Sequence, residues 1–437
     1  MNGIKYDKST YIEKQVDFFK AHATESPKLL GMEYEHELID VATLRSYDYF
    51  EDNGQKQMME KLHQSGWEIL QIEDDCILGL VKNQSTITLE PGGQVEISLK
   101  PFDSVALIQK EYTQIITEIQ AVLAPNQALA SIGYHPKSKI DELTLLPKKR
   151  YHLMYDYFKG AGAFCHNMMK GTCATQVSID YIDEADFIKK FRVANHLSPA
   201  LASLFDSTPI FEGALTDGSH MRSRIWAETD IRRSKLIPGS LSKPFGFADY
   251  AAYVLSLPPI LLYSEGELFH SEKEILENEL NHYAFTEEEL EHHLTMVFPD
   301  VRLKKFIEIR MPDALPYPFN LAVTALVKGI FYDTQMLEKY YQKSLEVNDD
   351  WVIHQNACLI QGVQSLELEA MKEELLCDAM ASLNTDEASV IGAFKAFLAQ
   401  WGSMTAYLQH LYQTDRQAFA QAIIVNPIRV KNQNTKE

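Results

Sequence analysis

Between Trp67 and Ser98 the chain contains four short apolar-rich runs, WEILQI, CILGLVK, STITLE and QVEIS, separated only by Glu-Asp, Asn and Pro-Gly-Gly signals. Such runs, bounded by turn residues, read as strands. A parallel neighbour needs a crossover of roughly a dozen residues or more, which none of these connections supplies, so the runs predict an antiparallel meander. Helical spacing surrounds it. Tyr11, Ile12, Val16 and Phe19 predict a helix over residues 8 to 30, and Gly31 opens a further strand. Helices are expected from Ser104 to Ala124, near Tyr151 and from Glu184 to Phe205, with a strand from Thr175 to Tyr181. From about Asn320 through Leu411 the apolar spacing is helical throughout. This order predicts an α+β fold, a mainly antiparallel sheet with outer helices and a helical C-terminal layer. With no internal repeat and no long linker, residues 1–437 are read as one catalytic domain, its core about 31–333 and its helical layer about 334–437.

Alternation along the strand-like runs places acidic residues on their polar faces. Glu33 and Glu35 share one face of GMEYEHEL, and Glu90 and Glu96 are brought together by the Pro91-Gly92-Gly93 turn. Asp180 ends TQVSID beside Gln176 and Ser178, and Glu308 alternates with Ile307 and Ile309 in FIEIR. Carboxylates gathered in this way repel one another unless a cation is held among them. Most of these runs carry no Lys or Arg of their own, so a divalent metal is the economical partner, and Mg²⁺ commonly arrives with substrate phosphates. An ATP-dependent enzyme is therefore expected.

The run MRSRIWAETDIRR supplies the opposite sign, with Arg222, Arg224, Arg232 and Arg233 around Trp226. Guanidinium forks bind carboxylate and phosphate in bidentate fashion, and the indole offers an apolar wall. The competing reading is a surface pairing with Glu228 and Asp230. Elsewhere acid dominates: the net charge is -20 and the pI about 5.2, which argues against nucleic acid or an anionic membrane as partner. The Glu-rich stretch Glu272 to His293 reads as a solvated helical face.

Several other chemistries lack their motifs. No GxxxxGK[ST], HExxH or GxSxG occurs, and GAGAFC at Gly160 lacks the last glycine of a dinucleotide fingerprint. The five cysteines include no CxxC pair, which points to a reducing cytoplasm, and Cys165 and Cys173 near His166 read as buried structural residues. The N-terminal MNGIKYDKSTYIEKQ has no apolar signal core, and the apolar stretch Ala251 to Tyr263 is short and broken by prolines. A cytoplasmic protein is expected.

Taken together, GMEYEH, LEPGGQVEIS, TCATQVSIDY, MRSRIWAETDIRRSKLIP and RLKKFIEIR resemble, in order and spacing, the glutamate-cysteine ligase family of the plant and proteobacterial type, from about Gly31 to Asp333. The Glu-x-Glu strand is shared with the wider glutamine synthetase-like carboxylate-amine ligases. The resemblance implies a curved antiparallel sheet holding ATP and Mg²⁺, for which Mn²⁺ is an alternative, on its concave face. It further implies phosphorylation of the glutamate γ-carboxylate and attack by the cysteine amino group, giving γ-glutamylcysteine, the first step toward glutathione. By motif, Glu33, Glu35, Glu90, Glu96 and Glu308 would hold the metal. Arg222, Arg224, Trp226 and Ser178 would bind substrate, and Arg233 and Arg310 would serve phosphoryl transfer. Departures at Tyr34, His36, Ser178 and the Met311-Pro312-Asp313 run leave room for a different amine acceptor or a non-catalytic, ligand-binding homologue. The chain is expected to act as a monomer or homodimer on small molecules.

Overall fold

Asp74 and Asp75, and then Asn83 and Gln84, adopt positive φ, so two-residue turns close the first two hairpins of the meander. The computed structural model describes residues 7–26, 28–218, 220–264, 266–270 and 275–426. Its strands are β1 (Leu30–Asp40), β2 (Glu68–Glu73), β3 (Cys76–Lys82), β4 (Ser85–Leu89), β5 (Val95–Phe102), β6 (Gln127–Ala130) and β7 (Thr175–Ile179). They continue as β8 (Ile210–Phe211), β9 (Ala214–Leu215), β10 (Leu262–Ser264), β11 (Glu267–Phe269), β12 (Val301–Leu303) and β13 (Ile307–Ile309). Nine of these form one sheet in the order β12-β13-β7-β1-β5-β4-β3-β2, with β6 also paired to β1. Every pairing in it is antiparallel, as the short connections require.

One face of this sheet is apolar. Met32 and Tyr34 of β1, Ile97 of β5, Val177 of β7 and Ile309 of β13 are all buried. Helices Val105–Val122 and Asn320–Phe331 cover them, the Tyr34 hydroxyl meeting Thr324 Oγ1 at 3.3 Å. Burial of each such aliphatic side chain contributes about 1.5–3 kcal/mol. The other face is polar and forms the floor of the candidate site.

Beyond Asn320 the expected helical layer is present as seven helices from Asn320–Phe331 to Arg416–Ile423. Asp333, Asn348, Ser365, Asn384, Ser403 and Asp415 each cap one by accepting a backbone N–H of its first turn. Helix Asp349–Ile360 packs on helices Glu184–Leu204 and Met221–Ala227, so this layer reaches the site. Its last helix returns to the sheet, where Val425 N–H donates to the carbonyl of Leu129.

Two sequence expectations need correction. The first helix spans Lys8–Ala21, not 8 to 30; beyond its C-cap His22 the chain is taken up by the sheet side, Thr24 N–H donating to the carbonyl of Tyr181. The Glu-rich stretch is not simply a solvated face. Residues 271–274 lie outside the described residues, but helix Glu287–Leu294 exposes Glu287 and Glu288 while burying Glu289, His292 and His293. Glu289 is drawn inward because it closes a capping box with Thr286, and both histidines pack into an aromatic cluster with Tyr263, Tyr283 and Tyr11. No helix among the described residues is long and apolar enough to cross a membrane.

Candidate active site

Strand register decides which polar side chains meet. Glu35 stands opposite Glu96, and Glu96 opposite Thr88. Glu33 stands between Ser98 and Gln176, while Glu308 lies opposite both Ser178 and Arg302. Directly paired residues share a face, so all of these side chains belong to one polar surface. The turn before β5 adds Glu90: its N–H donates to the Gln94 carbonyl and its carbonyl accepts from Gly93, whose φ is +90°. Gly92 is required by packing, since a Cβ there would sit 2.3 Å from the Lys170 carbonyl oxygen. Its close approach is thus to protein backbone and not to a ligand.

Above this surface lies a cavity of about 280 Å³ lined by Glu33, Glu35, Glu90 and Glu96 together with Lys148, Arg150, Arg302 and Arg310. Burial first, and then the charges of Glu96 and Glu308, push the Glu33 carboxyl up to about 7. Burial and Glu90 push Glu96 up to about 7 as well, despite bonds from Thr88 and Ser98 hydroxyls. Glu35 is raised well above its ordinary range by burial, Glu90 and Glu96, although it accepts from Ala174 N–H at 2.7 Å and Gln176 Nε2 at 2.8 Å. Burial also raises Glu90, with the Lys148 ammonium opposing. Four carboxyls raised by enclosure and mutual repulsion form a site short of positive charge.

Glu308 departs from this set. It is fully buried, with Arg302 Nε at 2.7 Å, Lys304 Nζ at 3.0 Å and Arg310 Nη1 at 2.8 Å, and these cations hold its carboxyl well below the usual range in spite of burial. It does not line the cavity. Glu308, expected in the metal set, thus stands apart from the other four carboxylates, with countercharges supplied by its own hairpin. Among the described residues no three His, Cys, Asp or Glu side chains form a cluster able to hold a metal ion as they stand. The residues nevertheless fit a hard divalent cation: four enclosed carboxyls resist ionisation unless positive charge arrives, and oxygen donors are what Mg²⁺ takes.

The arginine run separates by helix phase. In helix Met221–Ala227, Arg222 and Trp226 are four residues apart and share a face; the guanidinium lies 5.9 Å from the indole centroid and both line the cavity. Arg222 is held by the carbonyls of Met311 and Arg310, with Asp313 at 3.5 Å. Arg224, two residues on, points the other way and forms a 3.0 Å pair with Glu228 at 40% exposure, outside the cavity. Arg224, expected to bind substrate, is thus placed in a surface ion pair. Arg233, expected to serve phosphoryl transfer, also lies apart from the cavity. It is completely buried, bonded to Asp230, to the carbonyls of Met296 and Pro258 and to the Tyr157 hydroxyl, with no face toward the cavity.

Arg310 does reach the cavity. Its Nη1 donates to Gln176 Oε1 at 2.6 Å, and Gln176 passes its own Nε2 to Glu35, which links the cationic and acidic ends. Ser178 shares the polar face but not the cavity lining. Asp180 lies beyond the end of β7, where Lys190 Nζ caps its carbonyl, so it is removed from the acidic group. Cys165 and Cys173 are buried, and burial raises both thiols; Cys173 donates to Glu37 Oε1. His166 stacks on Tyr155 with ring centroids 3.7 Å apart.

Four cations were not assigned from the sequence. Lys148 and Arg150 enter from helix Lys149–Tyr157 and its N-cap, Arg302 from β12, and Lys304 from the β12–β13 turn. The basic run Pro147-Lys148-Lys149-Arg150 in so acidic a chain was the available signal.

A carboxylate-floored, cation-rimmed cavity on an antiparallel sheet is the class of site this fold presents. Residues 29–391 match the model of glutamate-cysteine ligase family 2 (GCS2). The chain belongs to that family, and the match runs well past Asp333 into the helical layer. It is 32% identical over 334 residues to the chloroplastic glutamate–cysteine ligase of Brassica juncea, covering 74% of this chain and 63% of that one. The Arabidopsis thaliana enzyme is likewise 32% identical over 338 residues, covering 74% of this chain and 62% of the relative. The chain thus spans under two thirds of the length of these relatives. The crystal structure of glutamate–cysteine ligase from Francisella tularensis in complex with AMP has the same fold, with a TM-score of 0.58 at 12% identity, covering 95% of this chain and 90% of that one.

Proposed function

We propose that this chain is an ATP-dependent ligase that activates the γ-carboxylate of glutamate as an acyl phosphate and transfers the γ-glutamyl group to the amino group of cysteine. The observation that carries this reading is the cavity in which Glu33, Glu35, Glu90 and Glu96 face Lys148, Arg150 and Arg310. Membership of the glutamate-cysteine ligase family supports it.

Glu33, Glu35, Glu90 and Glu96 would hold Mg²⁺, which when bound supplies positive charge for the phosphate oxygens. Lys148, Arg150 and Arg310 present further donors to the same oxygens, and Gln176 keeps Arg310 and Glu35 in register. Arg222 and Trp226 stand where the carboxylates of an amino-acid substrate meet a cation and an apolar wall. No covalent enzyme nucleophile is required, in keeping with the two buried cysteines.

The test is phosphate release from ATP with the full chain. Release should require ATP, Mg²⁺ and glutamate together and rise with cysteine; release insensitive to glutamate would refute the reading.

A further inference from the structure

Alternation along β1 sets a third carboxylate on the face of Glu33 and Glu35, that of Glu37. It is buried but does not line the acidic cavity. Its countercharge comes from a distant part of the chain: His135 Nδ1 lies 3.0 Å from Glu37 Oε2, with both side chains enclosed. The imidazole Nε2 lies 2.6 Å from the Lys170 carbonyl, which can only accept, so this nitrogen carries a proton. A bare Nδ1 would set its lone pair against the carboxylate, so Nδ1 is protonated as well and the two groups form a buried ion pair. The Ser46 hydroxyl completes it, 2.6 Å from Nδ1.

The pair clasps one short segment, residues 170–173, at both ends. His135 holds the Lys170 carbonyl through Nε2 and the Gly171 carbonyl through its backbone N–H, while Glu37 Oε1 accepts from the Cys173 thiol at 3.2 Å. On its other side the segment meets the acidic floor twice. Gly92 packs on the Lys170 carbonyl, and Gln94 donates to the carbonyls of Met169 and Thr172 while accepting from Gly92 N–H, which seats the turn that carries Glu90. Next to Cys173, Ala174 N–H donates to Glu35 Oε2 at 2.7 Å, and the Ala174 carbonyl accepts from Glu35 N–H.

From this arrangement we propose that Glu37 and His135 are positioning residues of the acidic floor, which set the spacing of the Glu35 and Glu90 carboxylates, and with it the affinity for a divalent cation, through residues 170–174. The proposal rests on the reading of that floor as the cation site of the ligase. A buried ion pair is a weak source of stability, because desolvation offsets much of its attraction. Its contribution here is placement: no other side chain pair ties the backing of the Glu90 turn to the backing of Glu35 among the hydrogen bonds of residues 170–174. Groups that orient the ligands of a metal typically change its affinity by 10- to 100-fold when they are removed.

The experiment reads Mn²⁺ binding to the nucleotide-free full chain from the electron paramagnetic resonance of the free ion, since Mn²⁺ takes the same oxygen donors as Mg²⁺. His135→Leu removes the donor to Lys170 and should weaken binding by about tenfold or more. A field effect alone has the opposite sign, because loss of the imidazolium leaves Glu37 to attract the cation. His135→Gln, whose amide keeps a donor for the Lys170 carbonyl, should recover most of the affinity. Cys173→Ala cuts only the tie to Glu37 and should weaken binding in the same direction, which settles the outcome where His135→Leu does not fold. Ser46→Ala loosens the pair without touching the segment, so the denaturant midpoint should fall with Mn²⁺ binding unchanged. Unchanged affinity in His135→Leu or, where that chain does not fold, in Cys173→Ala overturns the positioning. So does an equal loss in Ser46→Ala, or a parent chain that binds no Mn²⁺. Phosphate release is measured alongside: glutamate-dependent release from the parent chain keeps the ligase reading whatever the variants bind, and its absence overturns that reading while the Mn²⁺ affinities still decide the positioning.

Discussion

Glu96 and Glu308 project from the same face of one sheet, three strands apart in its order, and their electrostatic fates are opposite. At the β1–β5 end, burial and neighbouring carboxylates hold Glu33 and Glu96 up at about 7. At the β12–β13 end, Arg302, Lys304 and Arg310 hold Glu308 well below its ordinary range. Burial opposes ionisation at both ends, so countercharge alone separates them. One end is complete and the other awaits a cation. A buried acidic residue on the right face is therefore evidence of a functional site only when its positive partners are missing.

The largest effect expected from this difference is on stability at the complete end. Glu308→Gln strands three cations in a dry environment and should destabilise the fold by about 3–5 kcal/mol, read from the denaturant midpoint. A loss of activity with an unshifted midpoint would return Glu308 to the metal set. At the open end the order reverses. Glu96→Gln and Glu35→Gln should lower kcat by about 100-fold or more, since charge aimed at phosphate and cation is lost, while the midpoint is held or raised. Unaltered kinetics in both variants would remove these carboxylates from the site.

The meander was legible because its turns are local, with Asp74–Asp75 and Asn83–Gln84 taking the positive φ that two-residue hairpins need. The helical layer was legible from its apolar spacing, and Asp333, Asn348 and Ser365 cap helices within it. Alternation together with the Pro-Gly-Gly turn was sufficient to gather Glu33, Glu35, Glu90 and Glu96. What alternation did not carry was partnership. Arg302 and Lys304 stood in the quoted RLKKFIEIR run, but only a hairpin with Arg302 opposite Glu308 turns them into its countercharges. Helix phase was missed in the same way, for Arg222 and Arg224 read as one basic patch until about 100° per residue set them on opposite sides. The packing of helix Asp349–Ile360 on helix Met221–Ala227 joins distant segments, which no local pattern announces.

The two ends should also titrate in different windows. A carboxyl near 4.5 when unfolded and about 7 when folded binds more protons in the native state between those values, so metal-free protein should lose stability as pH rises from 4.5 to 7. The loss is on the order of 2–3 kcal/mol for each such carboxyl, and Glu96→Gln should remove its share. Glu308, lowered by its cations, contributes stability that is present above 4.5 and is lost only as pH falls below that value. Denaturant midpoints across pH 3 to 8 separate the two, at the acid limit by Glu308 and near neutrality by Glu33 and Glu96. Stability that rose from pH 4.5 to 7 and did not respond to Glu96→Gln would mean that the acidic end already has its countercharge.

The smallest effect belongs to the arginine that the sequence placed in the site and the helix turned away. Arg224 pairs with Glu228 one turn along an exposed helix face, an arrangement worth about 0.3–0.5 kcal/mol. Arg224→Ala should therefore shift the midpoint by no more than that and leave the glutamate KM within about twofold. Arg222→Lys makes the complementary measurement, because an ammonium cannot reach the Met311 and Arg310 carbonyls with the geometry of the guanidinium fork. It should raise the glutamate KM by tenfold or more, about 1.4 kcal/mol. If the two substitutions raised KM equally, the helix would have to present both arginines to the substrate, which its phase forbids.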